Sequence, residues 1–402
     1  MRLHLLLLAA LASAALPPLP LTTSGRWIHD AAGKRVTYAG TNWPGHQEAM
    51  LPEGLAHQSA ASIAGHITSL GMNVVRLTYA TQMVDEHVAR GSDVPAKEGL
   101  IKALGRENGT RVWGEIRKRN AGLREQAGRL EVFDLVAREL GKAGVVVHLD
   151  NHISRATWCC STKDGNSWFG DTDFDAAKWK RGWSFMANYT RSWTALGSVG
   201  LRNELRAPDN NPQLKERSYK WGDWYTHMRA AAGEVHAANP SLIVFLSGFG
   251  FDTDLTAVVR DTKVLKKSDF LPNKIALELH NYQNNEKNCG NIRGGLYNHG
   301  WNALNESDKG VANVLPVVMS EFGFAQDMKT AGSVYATCLR DYLVQNKAGW
   351  MVWVLSGSYY IRSGKQEFDE AWGLLKKDWS GWRSEEVVEK YFRPFVRASL
   401  KG

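Results

Sequence analysis

The sequence lacks most of the features that announce a cofactor, a metal centre or a membrane protein. No Gly-x-Gly-x-x-Gly follows its first strand-like segment, so the fingerprint of a dinucleotide-binding sheet is missing. There is no P-loop, no metal-binding triad and no Ser nucleophile elbow. Cysteines number only 4 in 402 residues, with no Cys-x-x-Cys pair, which argues against a structural zinc site. Beyond the N-terminus no run reaches the roughly 18 apolar residues that a bilayer-spanning helix needs. The formal net charge is +8, yet there is no dense Lys/Arg run, and Lys266-Lys267 and Lys376-Lys377 are merely pairs. Nucleic-acid binding is therefore not indicated. No internal repeat, low-complexity tract or second domain is apparent.

What is present is a large apolar fraction, 44%, enough for a sizeable core, and 16 tryptophans. Flat indole rings fill cores and also stack on the C–H faces of sugars. At the N-terminus Arg2 precedes an apolar run, residues 3–11, broken only by His4. Ala12-Ser-Ala14 has the small-x-small pattern of a cleavage site. This reads as a secretory leader over residues 1–15, followed by a short linker, 16–25, and one folded domain, 26–402. The expectation is a secreted, monomeric protein with no stable membrane insertion.

In an oxidising compartment four cysteines suggest two disulfides. Neighbouring Cα atoms lie about 3.8 Å apart across a trans peptide, short of the roughly 4.4–6.8 Å of most disulfides. A Cys159–Cys160 bond is thus disfavoured, and each of the two is expected to reach one of Cys289 and Cys338. Asn-x-Ser/Thr sequons stand at Asn108, Asn188 and Asn305.

Apolar segments alternate with helical patterns along the chain. Strand candidates cover residues 36–40 (running into Thr41-Asn42-Trp43), 73–78, 145–152, 199–204, 242–247, 275–280, 316–321 and 349–355. Helical patterns cover 59–70, 123–143, 176–196, 220–238, 301–313, 332–346 and 384–399, with a shorter helical or turn segment at 255–264. Residues 80–120 read as an elaborated loop with a short helix; 153–172 and 283–298 read as loops. Buried strands alternating with helices predict a single (β/α)₈ barrel of the α/β class with enlarged loops.

Such a barrel carries its site at the C-terminal ends of the strands. Those ends hold Arg76, His152, Asn203, Glu204, His280, Tyr282, Glu321 and Trp353. Two carboxylates ringed by His, Tyr, Asn, Arg and Trp suit hydrolysis of a glycosidic bond. One carboxyl protonates the leaving oxygen and the other attacks the anomeric carbon or activates water.

The motifs Val74-Val-Arg76, Leu149-Asp-Asn-His152, Arg202-Asn-Glu204, Leu279-His-Asn-Tyr282, Met319-Ser-Glu-Phe-Gly323 and Met351-Val-Trp353 occur in order, each at an expected strand end. Together they make the chain similar to glycoside hydrolase family 5, the cellulase-type retaining enzymes. The resemblance implies Glu204 as acid/base, Glu321 as nucleophile and Asn203 as a ligand of the sugar 2-hydroxyl. It implies that Arg76 and Tyr282 hold Glu321, that His152 and His280 line the site, and that Trp353 forms its floor. The substrate class it implies is a β-glucan or related β-linked glycan, with no metal and no cofactor. Trp43 and Trp158 are expected to extend the cleft, as are Trp168 and Phe169; Asn42 and Asn151 are further candidates for sugar hydroxyls. His148, deeper in its strand, reads as a packing residue. Where the family often has proline after Asn-Glu, this chain has Leu205. The string Arg202-Asn-Glu-Leu-Arg206, with Trp158-Cys-Cys160, resembles a little-characterised branch. The loops after the second and third strands are expected to close one end of the cleft, which favours exo action or a short substrate.

Overall fold

The structure, a computed structural model, describes residues 15–401. The expected leader lies outside these residues except for Ala15. Eight parallel strands close into a barrel: β1 (Ala39–Trp43), β2 (Val74–Ala80), β3 (Val146–Ile153), β4 (Leu196–Gly200), β5 (Ile243–Leu246), β6 (Ile275–Asn281), β7 (Val317–Phe322) and β8 (Gly349–Val352). The ring closes where β8 pairs with both neighbours, Trp350 beside Ala39 and Gly349 beside Val318. The (β/α)₈ expectation holds. Among the described residues no helix is long and apolar enough to cross a membrane.

The alternation of side chains along each strand explains why the barrel can be both stable and polar inside. On β3, Val147 and Leu149 join the core between strands and helices, whereas Val146 joins the barrel floor. His148, Asp150 and His152 follow Val146 on the inward face at period two. The same holds on β6, where Ala276 belongs to the floor and Glu278 and His280 follow it, with Leu277 and Leu279 packing outward. The outward faces therefore supply continuous aliphatic burial, while the upper interior holds ionisable groups. At Gly200 a Cβ would lie 2.9 to 3.0 Å from His148, Asp150 and Glu278, so glycine leaves room for that cluster.

The floor is sealed by residues read as a linker. Leu21 is fully buried against Val74, Val146, Phe245 and Met351, and Thr22–Ser24 pairs with Trp27–His29. Lys274 Nζ donates to the Leu21 carbonyl at 2.6 Å. The segment packs because its leucine fills the narrow end of the barrel, a contact that local composition does not reveal.

Helices begin where hydroxyl or carboxyl side chains cap them. Ser59 accepts from Ser62 N at the start of Ala60–Ser69, and Asp175 accepts from Ala177 N and Lys178 N at the start of Ala176–Tyr189. Two expected loops are corrected. Residues 80–120 contain three helices, Thr81–Arg90, Ala96–Leu104 and Arg106–Arg119, each polar but for one buried stripe such as Val112, Trp113 and Ile116. Residues 289–298 form a helix capped by Asn288, and the helix expected over 301–313 shrinks to one turn, Trp301–Leu304. After β8 an unforeseen hairpin, β9 (Ser358–Arg362) and β10 (Lys365–Asp369), folds over the barrel mouth.

The disulfides are also corrected. They join Cys159 to Cys160 and Cys289 to Cys338. The Cys159–Cys160 peptide is cis, with Cα atoms 3.1 Å apart, so the trans spacing assumed for neighbours does not apply. Cys289 and Cys338 lie on the packed helices Cys289–Asn298 and Val334–Gln345.

Candidate active site

Arg76 is the hub of the barrel interior. Fully buried on β2, it donates to Asp150 Oδ1 at 2.8 Å, Asn203 Oδ1 at 2.8 Å, Asn42 Oδ1 at 3.0 Å and Glu321 Oε1 at 2.5 Å. Burial alone would lower its pKa; the carboxyls of Asp150, Glu321, Glu278 and Asp252 hold it above the ordinary value instead. Arginine suits this place because its planar fork presents several donors and stays charged.

Above Arg76 lies a cavity of about 560 Å³ at the C-terminal mouth of the barrel. Glu204 and Glu321 both face it, together with His152, Asn203, Tyr282 and Trp353. Tyr282 donates its hydroxyl to Glu321 Oε2 at 2.9 Å. Glu204 Oε1 stands 3.0 Å from His280 Nδ1, and Glu321 Oε2 stands 3.8 Å from the same nitrogen. One carboxylate oxygen of each glutamate and a ring nitrogen of His280 all lie within 4.8 Å of one another.

The two carboxyls sit in different surroundings. Burial pushes Glu204 up to about 7, against the pull of Arg206 and Arg76. Burial also raises Glu321, but His280, Arg76 and the Tyr282 hydroxyl pull it down. His280 is lowered to about 4 by burial, so its ring is neutral near pH 7. Its Nε2 is 3.1 Å from Ser320 Oγ. His152 stacks on Trp353 with ring centroids 5.4 Å apart and pairs its Nδ1 with Asp150 Oδ2 at 2.8 Å. Burial holds His152 well below its ordinary pKa.

Glu204 lies beyond the end of β4 rather than on it, in the left-handed region with φ 47°. Non-glycine residues occupy that region only where their surroundings impose it. Here the Glu204 N–H donates to Asp252 Oδ2 at 2.7 Å, and its carbonyl accepts from Arg206 Nη1 at 2.7 Å. The departure from Asn-Glu-Pro then has a physical sense. Leu205 is fully buried, and the arginines flanking the motif hold the loop after β3. Arg206 reaches the Ser161 carbonyl at 2.8 Å and Asp164 Oδ2 at 2.7 Å; Arg202 reaches the Asn166 carbonyl at 2.8 Å and Ser154 Oγ at 3.0 Å.

Not every expected residue reaches the cavity. Trp43 is fully buried and donates its indole N–H to the Glu53 carbonyl at 3.0 Å, so it belongs to the core. Trp168 and Phe169 are likewise core residues. Asn42 and Asn151 are buried beneath the mouth and spend their amides on protein partners. His148 pairs with Ser198 Oγ at 2.9 Å inside the barrel, as a packing residue. Trp158 does line the cavity, with Arg362 lying 3.4 Å from its ring centre. The hairpin adds Arg362, Phe368 and Asp369 to the walls, and Glu370 and Trp372 follow it. The three helices of residues 80–120 do not line the cavity; the second and third brace the hairpin from behind, Gln366 donating to the Leu104 carbonyl at 3.0 Å and Asn108 donating to Gln366 Oε1 at 2.9 Å.

The pattern of the family described as Cellulase (glycosyl hydrolase family 5) matches residues 29–358, which spans every motif around this cavity. The chain belongs to glycosyl hydrolase family 5. A second comparison agrees: a "Glycosyl hydrolase 5 family protein" of Chamaecyparis obtusa is 36% identical, over 97% of this chain and 68% of that protein. This family 5 glycoside hydrolase also shares its fold with solved structures. An endocellulase from Pyrococcus horikoshii aligns with a TM-score of 0.69 at 17% identity, over 95% of this chain and 100% of that one. The catalytic domain of the major endoglucanase from Xanthomonas campestris pv. campestris aligns at 0.67 and 18%, over 94% and 99%.

Proposed function

We propose that this glycoside hydrolase is a secreted, retaining β-glycosidase that attacks a β-linked glucan or related glycan from one end, with Glu204 as acid/base and Glu321 as nucleophile. The observation that carries the reading is the approach of the two carboxylates, with oxygens within 4.8 Å of one another. Retaining enzymes hold their carboxyls about 5–5.5 Å apart, whereas inverting enzymes leave about 6.5–9.5 Å for a water. Glu321, clamped by Arg76 and Tyr282, is the carboxylate to attack the anomeric carbon. Glu204, raised to about 7 by burial, keeps a proton for the leaving oxygen. Asn203, its Oδ1 fixed by Arg76, offers its amide N–H to the sugar 2-hydroxyl.

One observation supports a glycan substrate, and a second supports its attack from an end. The Pyrococcus endocellulase of the same fold was crystallised with cellotetraose. In the present chain Trp158 and Arg362 fasten the loop after β3 to the hairpin, which walls off one side of the mouth. A panel of aryl β-glycosides with proton NMR of the first-formed anomer tests the reading. Retention with a single preferred sugar supports it, and an inverted product would refute the assignment of Glu321. Random internal cleavage of a β-glucan would refute end-on attack.

A further inference from the structure

The Cys159–Cys160 disulfide forms part of the cavity wall, beside the proposed acid. Its two sulfurs and a carboxylate oxygen of Glu204 lie within 4.8 Å of one another. Its loop is not loosely placed, because the Arg206 and Arg202 bonds described above hold residues 161–166 immediately downstream.

Asn203 connects the disulfide to the proposed sugar contact. An arginine offers donors only, so the Asn203 oxygen must be the atom that faces Arg76. The amide nitrogen is thereby turned to the other side, where it lies 3.7 Å from Cys159 Sγ and 3.6 Å from Cys160 Sγ. Sulfur is a weak acceptor, and a disulfide carries no proton of its own. Such a neighbour leaves the N–H free for a stronger acceptor such as a sugar oxygen. Two free thiols in the same place would bring S–H donors to Glu204 and to the amide. The disulfide instead gives a neutral, polarisable surface with no donor of its own.

We propose that the Cys159–Cys160 disulfide is a substrate-binding wall at the sugar position next to Glu204, packing against the C2 side of the ring and aiming the Asn203 N–H at the 2-hydroxyl. The pocket then takes sugars with a free 2-hydroxyl and rejects those with a bulky 2-acetamido group, for which the sulfurs leave no room. This rests on the glycosidase reading above and names the part of the substrate that the pocket inspects.

The experiment compares the intact chain with a Cys159→Ala/Cys160→Ala variant. The substrates are 4-nitrophenyl β-glucoside, β-mannoside and the 2-deoxy glycoside common to both. The variant is expected to lose about ten-fold or more in kcat/KM on the better 2-hydroxy substrate. It should leave the 2-deoxy substrate nearly untouched. Equal losses on all three, or no loss, would overturn the proposal, because a merely structural bridge has no reason to distinguish them. Should the variant fail to fold, the same ratios are read on a Cys289→Ser/Cys338→Ser background before and after dithiothreitol and after reoxidation. A reversible collapse of the preference supports the proposal; an unchanged preference after thiol titration confirms reduction overturns it. An intact chain that turns over none of a full glycoside panel would instead defeat the hydrolase reading, and this inference with it.

Discussion

The backbone N–H of Glu204 donates to the carboxyl of Asp252 at 2.7 Å, and this bond accompanies the left-handed backbone that turns Glu204 into the cavity. Asp252 is itself fully buried. Burial, and then the nearby Glu278, holds its pKa well above the ordinary value. Among the described residues its second oxygen, Oδ1, has no hydrogen-bond partner.

Burial disfavours the charged form of Asp252, and an amide of the same shape can also accept the Glu204 N–H. Asp252→Asn is therefore expected to keep both fold and activity. Asp252→Ala should cost about 1–3 kcal/mol of stability, since it leaves a buried N–H unpaired. It should also lower kcat, because Glu204 loses its support. Chemical denaturation and steady-state kinetics of the two variants check this; an Asn variant as impaired as the Ala variant would show that the negative charge matters.

Glu204 must be protonated to act as an acid. With its pKa pushed up to about 7, kcat/KM should fall as pH rises through about 7. Glu204→Gln should remove that limb and cost about 10²–10⁴-fold on substrates with poor leaving groups. A dinitrophenyl glycoside needs no protonation of its leaving group, so its first step should be far less sensitive. The pH–rate profiles of both substrates give the answer.

The interior acids should also leave a mark on stability. Burial pushes Glu278 up to about 7 and Asp150 up to about 6. The folded chain then binds more protons than the unfolded one between the usual carboxylate range and these values. Stability contributed by these groups is highest at the acid side of that window and declines as pH rises through it. The melting temperature should drop from about pH 4 to about pH 7 and level off above that. Glu278→Gln should flatten that slope, and an unchanged slope would contradict the assignment.

Arg362 ties the hairpin to the loop after β3. It lies over the Trp158 ring and pairs with Glu370 at 2.6 Å. Arg362→Ala should loosen the closed side of the mouth, raising KM for short substrates more than it lowers kcat. If the closed side sets end-on attack, the variant should also release a wider range of products from a soluble β-glucan, seen by chromatography of the early products.

The strands were legible because their outward residues are uniformly aliphatic, as with Val75 and Leu77 or Leu277 and Leu279. The motif residues were legible because each stands at a strand end. The acids behind them were not. Asp150 and Glu278 sit two places before His152 and His280, and period two puts them on the same inward face; reading those strands as evenly buried runs hid the pattern. Asp252 had no local signal, because its place depends on Gly250, Phe251 and Asp252 all taking the left-handed conformation, with φ 58°, 64° and 57°. Trp372 and the hairpin were missed since their partners, Tyr282 and Leu104, are far away in the chain. Trp43 misled for the opposite reason: it stands at a strand end, yet its ring points away from the mouth into the packing around Glu53.

The sealed floor sets the polarity of the molecule as an object. Leu21 and Ile28 close the end of the barrel opposite the cavity, and Thr23 N donates to the Asn273 carbonyl on that same side. Anything attached upstream of Leu21, whether a tag, a resin or a cell surface, therefore holds the enzyme by its base. Its mouth is left pointing away from the attachment, open to whatever lies in front of it.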